Sequence, residues 1–438
     1  MILPARDERP LGALHVAAIV VGAIIGVGIF FTPAVLARAL PSPGWVLGVW
    51  ALAGLMSLAG ALVYAELGGR FPQAGGIYVF LRDGLGPRAG PPLAFLYGWL
   101  QLLVIQPGAM AVIAVVLVDH VAVLVGGVSP PLATAGSVLV VALFTAANLL
   151  GLRTGGRIQV VMAACKLLAL GALIAIGAAF GEASRLSAPA SHAPDGTPFT
   201  WLVAGLIPAL FSFGGAYHGT YVAGSVRDPE RAVPRGIAGG ILVVLVAYLI
   251  VNAAFLGSLG HDGLAASKSP AADVAARAFG PLAGRALAAV IVVSAAGILN
   301  TVCLGFPFVV HAMAKDGLFF ARAARLDPRT GRPNVAVAVQ GGLACVAIVV
   351  GSSRVDVLLT AIAFADAFFQ AAVAVVHFLA RRSPAKPGVL RAPPEATLVF
   401  FVLSVGVAVG ALIERPIESA YGAAVLVVGA LLWKRVRR

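Results

Sequence analysis

A run of about 20 apolar residues is long enough to cross a bilayer as one helix, and such runs fill this chain almost end to end. Between charged or Pro/Gly-rich breaks they fall near 14–40, 44–68, 92–125, 132–152, 156–180, 200–226, 235–259, 282–314, 334–352, 356–380, 396–413 and 417–433. Strand alternation is absent, and only helices or closed barrels satisfy every backbone group in lipid. The sequence therefore predicts an all-α integral membrane protein with 12 transmembrane helices. Composition points the same way: 60% of the 438 residues are apolar and 11% charged, too few charges to cover a water-soluble globule. The first run follows a charged lead (Arg6, Asp7, Glu8, Arg9) with no small-residue cleavage site, so it reads as a retained helix.

The net charge of +13 needs a membrane reading before a nucleic-acid one. Of 31 Lys and Arg, 23 lie in the termini and alternate connections, seven lie in the opposite connections, and Lys166 alone lies within a run. That asymmetry puts both termini on the cytoplasmic side. The richest stretches are Lys315 to Arg332 and the tail Lys434, Arg435, Arg437, Arg438. No folded basic module for nucleic acid is evident. Cys165, Cys303 and Cys345 sit inside apolar runs without metal or redox spacing, and read as small core residues. No cofactor or metal site is expected.

Two runs carry glycine clusters, five spans apart: Gly22-Ala23-Ile24-Ile25-Gly26-Val27-Gly28-Ile29-Phe30, then Phe211-Ser212-Phe213-Gly214-Gly215-Ala216-Tyr217. In transporters built from inverted repeats, paired interrupted helices mark a midplane binding site, because unwound backbone offers N–H and C=O groups there. Close helix packing is the competing explanation for either cluster alone. In the first break, the N–H groups of Gly26, Val27 and Gly28 lie at the positive end of the following half-helix and can cradle a carboxylate.

The chain resembles the amino acid-polyamine-organocation superfamily of transporters, within it the L-type amino acid transporter-like branch. GAIIGVGIF (Gly22 to Phe30) is similar to the span-one signature, and YAELGGRFPQAGGIYVFLRDGLGP (Tyr64 to Pro87) to the loop between spans two and three. AFLYGWLQLLVIQPG (Ala94 to Gly108), NLLGLRTGGRIQ (Asn148 to Gln159), YVAGSVRDPERAVPRGI (Tyr221 to Ile237), HAMAKDGLF (His311 to Phe319) and FADAFF (Phe364 to Phe369) follow in the same order. The resemblance implies a five-plus-five inverted repeat, residues 1–180 and 200–380, with discontinuous helices 1 and 6, followed by two extra C-terminal helices in 396–433. It implies that the C=O groups of Ile24, Phe211, Ser212 and Gly214 receive an ammonium group while the Phe211 ring closes over the substrate. Departures from the family pattern bear on specificity. Val27 replaces a small residue, Ala216 stands where tryptophan is common, Gln106 and Phe308 where arginine is, and Gly224-Ser225 where acidic residues are.

A lysine in mid-membrane is expensive, faces the bundle interior and marks an ion or proton pathway. By resemblance, Lys166 occupies the place where sodium-coupled relatives hold an ion, next to the first break and to Ser294. Glu66 and Asp366 are candidates for pairing with Arg70, Arg157 or Arg227, as an inner gate or a structural latch. His218, Tyr217, Thr220 and Asn300 are pocket or packing candidates; Asp119 and His120 face water or headgroups; His311 and His377 carry no evident chemistry.

The leading expectation is a sodium-independent secondary transporter of neutral amino acids that works as an exchanger by alternating access. A proton-coupled importer of amino acids or amines using Lys166 is the alternative, and a non-transporting amino acid sensor a remote one. An enzyme would need a nucleophile-base or metal constellation, and no HExxH or GxSxG occurs. High Ala, Gly, Arg and Val usage fits a GC-rich bacterial source, hence an inner membrane. The partners expected are a small-molecule amino acid and lipid, with no covalent partner subunit, since no cysteine falls in an outer loop.

Overall fold

The computed structural model describes residues 9–26, 28–187, 195–351, 355–384, 389–414 and 416–436. Among them every regular element is helical, and the one isolated β-bridge joins Leu11 to Val226. The helices, in chain order, begin with a broken pair, α1 (Ala13–Ile24) and α2 (Gly28–Ala39), bent by 48°. Next come α3 (Pro43–Arg70), a short α4 (Ile77–Gly84), α5 (Gly86–Leu100), α6 (Gln106–Val125), α7 (Pro130–Leu149) and α8 (Leu152–Phe180). The second interrupted stretch is α9 (Pro198–Ser212) and α10 (His218–Tyr221). Then α11 (Pro229–Ala266), α12 (Pro270–Phe279), α13 (Ala283–Gly305), α14 (Pro307–Lys315), α15 (Asn334–Gly351), α16 (Val355–Ala380), α17 (Pro394–Glu414) and α18 (Pro416–Val436) complete the chain.

Among the described residues, six stretches are long and apolar enough to cross a membrane: α3, Gly86–Val125, α7, α8, α11 and Pro270–Lys315. The bent pair α1/α2 makes a seventh. Shorter apolar helices occupy Pro198–Ser212, Asn334–Val350, Asp366–Ala380, Pro394–Gly410 and Ala423–Trp433. The chain is thus a helical, multi-pass membrane protein. Two helices, α4 and α12, lie outside every apolar run predicted from the sequence, and the third run begins earlier than expected, at Gly86.

Local chemistry explains the boundaries. Ser42 caps α3 by accepting from the Trp45 N–H at 3.4 Å, and Pro43 fills the first turn, where no donor is needed. Thr197 and Pro198 do the same for α9. Pro107 lacks an N–H, and the turn before it widens into a π-helical segment, Gln101–Ile105, whose Gln101 side chain accepts from Gln106 at 2.7 Å. Within α11, Gly260 takes φ 72° and kinks the helix near its end.

α1 runs through the centre, packed against α8, α11 and α13. Close approach is possible because α11 presents Gly236 and Gly240 to it; a Cβ at Gly240 would stand 2.8 Å from Val20 Cβ.

Candidate functional site

The first helix break spans Ile25 to Val27, of which Val27 lies outside the described residues. Ile25 has an extended backbone (φ −69°, ψ 93°), which stops α1 and turns its last carbonyls sideways. Those carbonyls are met by side chains from three helices. Lys166 Nζ donates to Gly22 O at 2.7 Å and Ile25 O at 2.6 Å. Ser294 Oγ donates to the same Ile25 O at 3.1 Å, and Tyr248 Oη to Ile24 O at 3.1 Å.

Lys166 is the middle residue of the 29-residue α8, about 21 Å from either end at 1.5 Å per residue. It is 2% exposed, too deep for its ammonium to snorkel to an interface. Two residues that the sequence reading did not single out lie on the same seam between α1, α8 and α13. Gln159 lies seven residues earlier on the same face and donates to Ala18 O at 3.1 Å; its Oε1 accepts from Asn300 at 2.8 Å, and Asn300 Oδ1 accepts from Asn148 at 3.0 Å. Gly297 leaves the space into which the Lys166 side chain extends. Asn148 and Gln159 are the ends of the NLLGLRTGGRIQ motif, whereas Gly297 has no sequence signature apart from its helical neighbours.

The second break covers Phe213 to Tyr217, with Gly215 at φ 118°. The two breaks touch: a Cβ on Gly215 would stand 3.0 Å from Ala23 Cβ. The hydroxyls of Ser212 and Thr32 lie 3.0 Å apart, joining α9 to α2. Gly28 opens α2 directly opposite, where a Cβ would be 2.9 Å from Ser212 Oγ. The Gly214 N–H donates to Phe211 O at 3.2 Å and the His218 N–H to Gly215 O at 3.1 Å, so one carbonyl at the end of α9 and one in this break already have donors. Ala216 is buried, and Tyr217 stacks on His218 with centroids 4.6 Å apart.

The closing role expected of Phe211 is not what the structure shows. Its ring is 76% exposed, on the same stripe of α9 as Val203 and Ile207, eight and four residues earlier. The inward aromatic is Phe213, two residues on, which packs 5.0 Å from Tyr248 and 5.8 Å from Trp50. Trp50, Phe213 and Tyr248 together hold the Tyr248 hydroxyl against the first break.

A second polar cluster lies at the end of α3. Glu66 pairs with Arg70 at 2.7 Å, with His377 Nε2 at 2.9 Å and with the Ala392 N–H at 2.8 Å; His377 Nδ1 meets Thr397 Oγ1 at 2.8 Å. Of the arginines expected to reach Glu66, Arg70 alone does so among the described residues, and His377, expected to be without chemistry, is part of the cluster. Asp366 instead accepts from Gln370 at 2.6 Å, and its other oxygen has no hydrogen-bond partner among the described residues. Arg332, read from the sequence as loop charge, is fully buried: it donates to Leu304 O at 2.7 Å and Cys303 O at 2.6 Å, with its guanidinium over the Phe308 ring. Pro307 cannot donate to Cys303 O, four residues earlier, and Arg332 supplies that donor.

The arrangement is two abutting helix breaks at the bundle centre, exposing backbone groups beside a buried ammonium. An amino acid permease family model matches this chain over residues 11–433. The chain belongs to that family.

This permease is 28% identical over 369 residues to the serine/threonine exchanger SteT of Bacillus subtilis, covering 83% of the permease and 82% of SteT. It is 25% identical to the cystine/glutamate transporter of Pongo abelii over 430 residues, 96% and 84% of the two chains. Over 285 residues, 63% and 52% of the two chains, it is 33% identical to the human large neutral amino acids transporter small subunit 2. All three are transporters or exchangers of amino acids rather than enzymes.

Proposed function

We propose that this permease is a sodium-independent exchanger of neutral amino acids in the inner membrane, working by alternating access. In this reading twelve spans form a five-plus-five inverted repeat with two added helices, both termini are cytoplasmic, and no covalent partner subunit is needed. The observation that carries it is the Lys166 ammonium, held 2.6 Å and 2.7 Å from two carbonyls of the first break. It fills with a fixed positive charge the place where a coupling cation would sit among turned carbonyls. The substrate carboxylate would then rest on the N–H groups of Gly26, Val27 and Gly28, and its ammonium near the Ile24, Ser212 and Gly214 carbonyls, with Ala216 and Tyr217 facing its side chain. The Ser212 hydroxyl opposite Gly28 supports this placement. The serine/threonine exchanger SteT, at 28% identity, supports exchange, and the two amino acids in its name are neutral.

The test is uptake of labelled amino acids by proteoliposomes without sodium. Uptake that requires amino acid preloaded inside establishes exchange. Accumulation in empty vesicles driven by an acidic exterior would replace it with proton-coupled import through Lys166, the reading favoured if that ammonium releases its proton during the cycle. Wild-type substrate binding by Gly26→Val would overturn the site assignment.

A further inference from the structure

Glu66, Arg70, Arg381, Ser383, Pro384 and Arg391 line a cavity of about 310 Å³ where α3 and α16 end and α17 begins, a volume within the roughly 300–1,000 Å³ of small-molecule sites. It is remote from the helix breaks in the chain and shares no residue with them. Three guanidiniums and one carboxylate line it. Glu66 is already committed: one oxygen binds Arg70 at 2.7 Å, and the other accepts from His377 at 2.9 Å and from the Ala392 N–H at 2.8 Å. Arg70 spends a further nitrogen on the Ala380 and Ser383 carbonyls, each at 3.0 Å. Arg381 Nη1 is buried with no hydrogen-bond partner among the described residues, and Arg391 is exposed.

A buried guanidinium nitrogen without an acceptor is costly, and the cavity beside it is where an acceptor would enter. The excess of two positive charges asks for an anion, and guanidinium forks match phosphate oxygens bidentately. We propose that this cavity binds a phosphate group, carried by an anionic lipid headgroup or free in solution. Arg381 contacts it from inside and Arg391 closes over it, while Arg70, neutralised by Glu66, holds the floor. Basic pockets at the ends of spanning helices lie at headgroup depth, which gives a lipid phosphate direct access.

The experiment is thermal unfolding of the full chain in a zwitterionic detergent at fixed ionic strength. It is titrated separately with short-chain phosphatidylglycerol, short-chain phosphatidylcholine and inorganic phosphate. A saturable rise in Tm with phosphatidylglycerol is expected, with an apparent affinity lowered about tenfold in Arg391→Gln, as loss of one charge-assisted bond predicts. Arg391 makes no side-chain hydrogen bond among the described residues, so this variant tests binding without threatening the fold; Arg381→Gln is the second variant and should lose more. Arg88→Gln, at an exposed position outside the cavity lining, should titrate as wild type. A rise with phosphatidylglycerol alone identifies a lipid site, and an equal rise with inorganic phosphate identifies a site for the free ion. An equal rise with phosphatidylcholine, no saturable rise, or an Arg391→Gln titration identical to wild type would overturn the proposal.

Discussion

Gly297 and Lys166 fit against each other: a Cβ at Gly297 would stand 2.8 Å from Lys166 Cε and 3.1 Å from Nζ. The lysine is held by two carbonyls on its far side and has little freedom to give way.

Gly297→Ala should therefore displace the ammonium from the first break while leaving α13 helical. Exchange in proteoliposomes is expected to fall about tenfold, and the loss should not add to that of Lys166→Ala, because both act through one contact. Additive losses would separate Gly297 from the lysine.

Lys166→Met should be more severe than Ser294→Ala. Removing Ser294 takes one donor from Ile25 O, which keeps Lys166, at a cost of about 1 kcal/mol. Removing Lys166 leaves Gly22 O without its side-chain donor and Ile25 O with Ser294 alone, about 1–3 kcal/mol for each carbonyl left short. Thermal unfolding of the two purified variants checks the order, and equal Tm values would contradict it.

Arg332→Lys preserves charge but loses the fork that reaches Cys303 O and Leu304 O together. One carbonyl then loses its donor, and the variant should be destabilised by about 2 kcal/mol, nearly as much as Arg332→Gln. Burial lowers this guanidinium to about 10, still a cation at neutral pH, so the loss should be the same at pH 6 and pH 8. Chemical unfolding at both pH values is the measurement.

Asp327 gives a pH dependence of definite sign. Its carboxylate accepts from the backbone N–H groups of Thr330 and Arg329, which holds it below its ordinary value of 3.8. A carboxylate lowered by folding contributes stability that is fully present above 3.8 and is lost as pH falls through its lower folded value. Protection factors of the Arg329 and Thr330 amides should be flat from neutral pH down to about 4 and fall below it, and Asp327→Asn should abolish that fall.

Helix existence was legible in the sequence because lipid demands long apolar runs, and α3, α7 and α8 coincide with runs read directly from it. The broken first helix was legible too, since Gly26 and Gly28 flag a backbone that stops being helical. Two short helices, α4 and α12, were not, because neither is a long apolar run. Sequence reasoning put charge in the right loops but could not tell that Arg332 folds back under α13; a count of loop charges is blind to where a long side chain ends. His377 was passed over for the same reason, since its partner Glu66 lies 311 positions away. Phe211 and Phe213 differ only by two positions on a turn, and which of them points inward depends on where α9 ends.

A Cβ on Gly215 would stand 3.0 Å from Ala23 Cβ, so the second interruption closes directly onto the last turn of α1. Gly215 also takes φ 118°, so both its backbone and its contact with Ala23 require glycine there. Both segments are thereby held at van der Waals contact, with no space between them for a further methyl group.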